Sequence, residues 1–247
     1  NFMERVICIA EIGLNWFGDI KLAKEMISLS KDCGADIVKF QLYRPKEILG
    51  INSPYLKDAE RGVPTEAQAR ELKEYADLIE IEWCASVFHP GLVDLTEELG
   101  VKRYKIASRS VKDLELLKRI NETKKPVIMS VGMSDDAEIS RAMCALRDVD
   151  DISLLYCVCL YPTNVGAINL DQLDKIRTRF QTRVGFSSHC PKIAPTLAAV
   201  ARGATVIEHH VCMHRISRLG CDIPSSLNFK EFKKLIGYIR DMEQLNG

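Results

Sequence analysis

Eight short runs rich in β-branched and aromatic residues recur along this chain, and each pair is separated by enough sequence for a helix. They are "RVICIAEIG" from Arg5, "IVKFQLY" from Ile37, "IEWCASVF" from Ile81, "RYKIAS" from Arg103, "PVIMSVG" from Pro126, "SLLYCVC" from Ser153, "RVGFSSH" from Arg183 and "TVIEHHV" from Thr205. Strands joined through helices cannot fold back as hairpins, so they pair in parallel by right-handed crossovers. Eight such units predict a closed (β/α)8 TIM barrel, and 247 residues suit the ~250 that one barrel needs. The chain is therefore read as a single domain over residues 1–247, with an open doubly wound sheet as the structural alternative. No internal repeat, low-complexity tract or second-domain boundary interrupts it. Residues 19–33 show helical period, with Leu22, Met26, Leu29 and Cys33 on one face and Gly34 placed to end the helix in a left-handed conformation. The same helix, glycine, strand order returns at Gly100 and Gly203, and Ser134, ahead of Asp135 and Asp136, is expected to cap another helix.

One connection is outsized. Residues 44–65, "RPKEILGINSPYLKDAERGVPT", follow the second strand and are read as a lid or binding loop, with a tolerated insertion as the alternative. Thirty-four basic and 34 acidic residues leave no net charge, so no global field draws the chain to nucleic acid or to an anionic membrane. Nine cysteines lie scattered in apolar segments without a C-x-x-C pair, which predicts reduced thiols in a cytoplasmic enzyme. No apolar run approaches ~20 residues, the opening "NFMERV" has no signal-peptide layout, and Asn1 and Phe2 are read as a non-native remnant.

Barrel enzymes build their sites where strands finish. The eight ends offer Glu11, Lys39 with Gln41, Ser86, Lys105 with Ser108, Ser130, Tyr161, Ser187 with His189, and Glu208 with His210. A barrel built for stability alone would place aliphatic residues there, because an unpaired buried charge costs several kcal/mol. Period-two alternation sends Glu208 and His210 to one face and His209 to the other, and lets Ser187 and His189 share a face. His189 and His210 can then converge on one metal ion, or stay as hydrogen-bonded core residues. Lys39 and Lys105 need anions, which Glu11 and Glu208 can supply internally. Alternatively Lys105, Ser108, Ser130 and Ser187 form a cradle for a phosphate or carboxylate. Cys190 opposes His189 by parity and is set aside as a ligand.

"AEIGLNWFGD", "GADIVKFQ", "YKIASRS", "PVIMSVGM", "YPT", "VGFSSH", "GATVIEHHV" and "GCDIPSS", in this order, resemble the catalytic barrel of the sialic acid synthase family, from Ala10 into the last helix. The resemblance implies a transferase that condenses phosphoenolpyruvate with an N-acetylated hexosamine or related aldose, giving a nine-carbon 2-keto sugar acid and phosphate. It implies a divalent cation, manganese or magnesium, held by His189 and His210 and polarising the aldehyde oxygen. It implies that Lys39, Ser86, Lys105, Ser108, Ser130 and Ser187 grip phosphoenolpyruvate, and that Glu11, Tyr161 and Asp222 orient the sugar. The expected partners are these small molecules, and nothing in the sequence excludes a homo-oligomer. Several positions depart from the family. "SRS" stands for the usual S-G-E, so Ser110 replaces a carboxylate, while Trp16, Val131, Cys159 and Ser188 replace polar or charged residues and are expected to face away from the site. The chain ends after "FKEFKKLIGYIRDMEQL" where members carry an antifreeze-like domain that lends an arginine to the sugar. Two further readings follow: a regulatory barrel that keeps the anion site without turnover, and another aldolase or lyase of 2-keto acids.

Overall fold

The structure, a computed structural model, describes residues 5–215 and 222–245. Strands β1 (Ile7–Glu11), β2 (Ile37–Leu42), β3 (Glu82–Val87), β4 (Tyr104–Ile106), β5 (Val127–Ser130), β6 (Ile152–Cys157), β7 (Arg183–Ser188) and β8 (Val206–Cys212) stand in chain order and pair in parallel. Strand β8 pairs back onto β1, with Glu11 opposite His210, so the sheet closes on itself as the eight runs predicted. A two-residue strand β9 (Leu227–Asn228) extends β8 beyond the ring. The helices are α1 (Ile20–Asp32), α2 (Pro45–Leu49), α3 (Leu56–Gly62), α4 (Glu66–Leu78) and α5 (Gly91–Glu98), then α6 (Leu114–Asn121), α7 (Asp136–Ala145), α8 (Asp171–Phe180), α9 (Ala194–Ala201) and α10 (Phe229–Leu245). No helix among the described residues is long and apolar enough to cross a membrane. Asn1 and Phe2, and Gly220 and Cys221 of the "GCDIPSS" motif, lie outside the described residues.

Parity organises the ring. Ile9, Ile37, Cys84, Ile128, Leu155 and Val206 point inward and pack as one apolar layer. Each is followed two residues later by an inward polar or sulfur-bearing side chain: Glu11, Lys39, Ser86, Ser130, Cys157 and Glu208. The apolar layer is therefore a floor, and the polar set stands on it. On β7 the floor position is Gly185, where a Cβ would lie 2.2 Å from the Val206 carbonyl oxygen and 2.4 Å from Leu155 Cδ2, so only a bare backbone leaves room for Leu155. Below the floor, at the N-terminal strand ends, Arg103 grips Glu82 through two nitrogens at 2.6 and 3.2 Å, and Arg183 meets Asp151. The alternate residues, among them Phe40, Trp83 and Phe186, face outward and are buried under the helices.

Leu22, Met26, Leu29 and Cys33, read on one face of α1, all pack against the core, with Ala23, Ile27 and Ser30 also buried where the helix lies against α4 and α10. One local expectation needs correction. The cap of α7 is Asp135, not Ser134: Asp135 accepts from the Glu138 backbone N–H, and Glu138 accepts from that of Asp135, a reciprocal box that a carboxylate one residue later satisfies better. Asp19 caps α1 by accepting from the Lys21 and Leu22 backbone N–H groups, and Gly34, Gly100 and Gly203 take positive φ of 88°, 69° and 83° at helix ends.

The outsized connection is not a bare loop. It folds as α2 and α3, held over the barrel mouth by a small apolar cluster of Leu14, Tyr43 and Ala59 with Ile48, Leu49 and Phe88. Trp16 anchors it by donating its indole N–H to the Gly62 carbonyl at 2.7 Å.

Candidate active site

All thirteen residues singled out from the sequence line one cavity of ≈ 660 Å³ at the C-terminal ends of the strands: Glu11, Lys39, Gln41, Ser86, Lys105, Ser108, Ser130, Tyr161, Ser187, His189, Glu208, His210 and Asp222. Ser108 reaches it from a single 3₁₀ turn after β4, and Asp222 from the connection after β8.

The two lysines are wired differently. Lys39 Nζ contacts Glu11 Oε2 at 2.6 Å and donates to Ser86 Oγ at 3.0 Å, and Gln41 holds the other Glu11 oxygen at 2.6 Å. Lys105 Nζ donates to Ser130 Oγ at 2.8 Å, but its nearest recorded carboxylate oxygen, on Glu208, is 3.6 Å away. Burial alone would lower the Lys39 pKa, yet Glu11 and Glu208 more than offset it, and it lies above its ordinary value. In Lys105 burial prevails over Glu208, and the pKa is lowered. Glu208 accepts from Ser187 Oγ at 3.0 Å. Burial alone would raise its carboxyl, but the two lysines hold it below the usual carboxylate range. Both readings of the lysines thus coexist geometrically: Lys39 is tightly ion-paired, while Lys105 stands mainly among hydroxyls.

The two imidazoles meet across the mouth with ring centroids 5.7 Å apart. His189 Nδ1 lies 2.8 Å from the Val158 carbonyl, which can only accept, so Nδ1 carries the proton and Nε2 presents its lone pair to the cavity. The Tyr161 hydroxyl meets Nε2 at 2.9 Å, with the two rings stacked at 4.0 Å. Burial, then the neighbouring His210, push the His189 pKa down to about 4, so the ring is neutral at pH 7. His210 Nδ1 is buried without a hydrogen-bond partner and faces Asp222 Oδ2 at 3.7 Å. His209 points the other way, as parity required, onto the Thr196 hydroxyl of α9 at 2.7 Å.

Two imidazole donors, one already oriented by a backbone carbonyl and one with an orphaned ring nitrogen, with a carboxylate beside them, fit a labile divalent cation. Among the described residues no group of three or more His, Cys, Asp or Glu side chains is gathered at ligating distance, so water or substrate would fill the remaining positions. Glu11 Oε1 and Asp222 Oδ2 converge on Gly13, whose φ is +53° and whose missing Cβ would lie 3.2 Å from each. Glycine there keeps that corner open.

The departures from the family fall out unevenly. Trp16, Val131 and Ser188 are buried away from the cavity, as expected, and so is Cys190. Cys159 is a correction: it lines the cavity, because it follows inward-facing Cys157 by two residues. Ser110 is buried yet does not line the cavity, whereas its neighbour Arg109 does and donates to the Ile48 carbonyl of α2 at 3.3 Å. Tyr55 and Asp58 also reach the cavity from the long connection. None of these three was singled out. Arg109 stood inside a quoted motif, but side chains of irregular turns have no periodicity to reveal their direction.

The sequence profile of the NeuB family matches residues 26–247. The chain is 34% identical over 263 residues to the N,N'-diacetyllegionaminic acid synthase of Campylobacter jejuni, spanning 99% of this chain and 78% of that protein. It is 34% identical over 254 residues to the pseudaminic acid synthase of Helicobacter pylori, spanning 94% and 73%. Among solved structures, the N-acetylneuraminic acid synthetase of Leptospira borgpetersenii, in complex with citrate, superposes with a TM-score of 0.93 at 31% identity, covering 99% of this chain and 86% of that one.

Proposed function

From the premise that this chain belongs to the NeuB family of sugar-acid synthases, we propose that it condenses phosphoenolpyruvate with an N-acetylated hexosamine or related aldose, releasing phosphate and a sialic acid-like 2-keto sugar acid. The observation that carries this reading is one cavity in which a buried lysine–hydroxyl cradle stands opposite two imidazoles. Lys105 and Lys39, with Ser86, Ser108, Ser130 and Ser187, would hold the phosphate and carboxylate of phosphoenolpyruvate. Anionic oxygens arriving beside Lys105 would give it the strong acceptors that Glu208, at 3.6 Å, does not. His189 and His210 would hold a divalent cation, Mn2+ or Mg2+, which when bound supplies Lewis-acid polarisation of the acceptor's aldehyde oxygen. Tyr161, protonated because burial pushes its phenol up, would turn from His189 Nε2 to hydrogen-bond the sugar. Glu11 and Asp222, converging on Gly13, would accept from the sugar's hydroxyls and fix the aldehyde carbon in reach of the enolpyruvate methylene. That carbon attacks, water adds to the resulting cationic centre, and phosphate leaves. Holding both reactants in one charged pocket would supply the acceleration through positioning and electrostatics.

The experiment is phosphate release from phosphoenolpyruvate with Mn2+ and a panel of N-acetylated and simple aldoses, with mass spectrometry of the product. A 2-keto sugar acid is expected. Bound phosphoenolpyruvate without turnover of any aldose would favour a regulatory barrel, a reading that Ser110 motivates by bringing no carboxylate to the cavity. Absence of phosphoenolpyruvate binding would sink both.

A further inference from the structure

Two sulfur atoms face each other in the cavity wall. Cys157 ends β6, Cys159 follows it by two residues, and both side chains turn inward with their Sγ atoms 3.9 Å apart. No other pair of sulfurs is in such reach among the described residues. Cys157 is only 3% exposed, while Cys159 is partly open to the cavity. The hydrogen bond from the Cys157 thiol, then the Ser108 hydroxyl and the charge of Lys105, hold the Cys159 thiol below its ordinary range, and the same contact together with burial pushes Cys157 up. Ser108 Oγ accepts the Met133 backbone N–H at 2.7 Å, so its own hydroxyl proton is left for the sulfur. A reachable thiolate backed by a protonated thiol is the layout of an attacking and a resolving cysteine.

We propose that Cys157 and Cys159 are a covalent modification site, a dithiol that a peroxide closes to an intramolecular disulfide, and that this closure disables the adjoining anion cradle. The Cys159 thiolate attacks one peroxide oxygen and the O–O bond breaks. Hydroxide leaves and takes up the proton that Cys159 gave to solvent on ionising. The Cys157 sulfur then attacks the sulfenic sulfur, the S–O bond breaks, and the departing hydroxide leaves as water with the Cys157 proton. Two thiols lose two electrons in all, and one peroxide is reduced to two waters.

Closing 3.9 Å to a bond of about 2 Å cannot leave the surroundings in place. Cys159 is drawn off Ser108, and the turn after β5 has no slack against Cys157, since a Cβ on Gly132 would lie 2.6 Å from its sulfur. Ser108 and Ser130 flank that turn, so the consequence for phosphoenolpyruvate rests on the function proposed above.

The test treats the full chain with hydrogen peroxide, maps thiols by differential alkylation and mass spectrometry, and measures phosphoenolpyruvate affinity by calorimetry before, after, and after a dithiol reductant. Expected are a peptide lighter by two hydrogens that contains residues 157–159, an affinity lower by at least ~10-fold, and recovery on reduction. The Cys159→Ser protein should hold its own affinity unchanged through peroxide. Free thiols at both positions, a disulfide without loss of affinity, or equal loss in Cys159→Ser would each overturn the proposal. If the reduced protein binds no phosphoenolpyruvate, the proposed function fails, and the disulfide map alone decides whether the modification site exists.

Discussion

Lys39 and Lys105 are both almost fully buried, at 2% and 3% exposure, yet their pKa values move in opposite directions, because Lys39 has a carboxylate oxygen at 2.6 Å while the one beside Lys105 stands at 3.6 Å. Lys105 is therefore the residue that gains most from an incoming anion. Lys105→Met should weaken phosphoenolpyruvate binding ~10- to 100-fold, the worth of a charge-assisted contact of about 1.5–3 kcal/mol, while the melting temperature changes little. An unchanged dissociation constant would remove Lys105 from the cradle. The sign of the pH dependence follows from its lowered pKa. Above that pKa the free site holds neutral lysine, so binding an anion must take up a proton, and affinity falls as pH rises through it. Calorimetry in buffers of different ionisation enthalpy, above the titration range of the ligand's own phosphate, should report proton uptake that Lys105→Met abolishes. His210→Ala should abolish Mn2+ binding, since one imidazole cannot hold a labile ion, and retained stoichiometric manganese would contradict the assignment. At this scale the sequence disclosed the charged, hydroxyl and imidazole groups borne on the strands, because parity fixes where a strand residue points, but it passed over Cys157, whose sulfur reads as one more apolar residue of its run. It did not disclose Arg109, Tyr55 or Asp58, whose directions depend on how turns and short helices dock.

Among the elements, the strands were legible because a closed parallel ring is buried on both faces, and near-continuous apolar runs such as "SLLYCVC" admit few other readings. Their polar tops stood out for the same reason. Helices α2 and α3 were not legible: their five and seven residues lack an amphipathic period long enough to read, and Leu14 and Phe88, distant in sequence, help to hold them. The misplaced cap of α7 shows competition between neighbouring polar residues, which propensity ranks too closely to separate. Asp135→Ala should lower stability by about 1 kcal/mol, with Ser134→Ala near neutral, as thermal unfolding would show. Gly185→Ala is the sharper test of the floor beneath the site. Its Cβ would meet the Val206 carbonyl, which is ladder backbone and cannot step aside, so overpacking of about 1–3 kcal/mol is expected. Should Gly185→Ala melt like the parent, Leu155 is not held as tightly as the ring requires.

For the whole molecule, a net charge of zero means that no long-range field gathers anions, so affinity must come from groups already desolvated inside the ring. Interactions of buried charges are screened little by salt, and phosphoenolpyruvate binding should therefore lose far less between low and moderate ionic strength than a surface anion site would. Because the cradle and the imidazoles stand on different strands of one closed barrel, a ligand at either stabilises the whole fold. At about 100 times its dissociation constant, phosphoenolpyruvate should add about 2.7 kcal/mol to unfolding. For a domain of this size that raises the melting temperature by roughly 5–10 °C. Manganese should add a separate increment. The two contributions can be told apart by variant: His210→Ala should keep the phosphoenolpyruvate shift and lose the manganese one, and Lys105→Met should keep the manganese shift and cut the phosphoenolpyruvate one at the same ligand concentration to about half or less. Loss of both shifts in either variant would mean that the mouth is one cooperative unit, and that the division between anion cradle and cation site does not describe how the barrel binds.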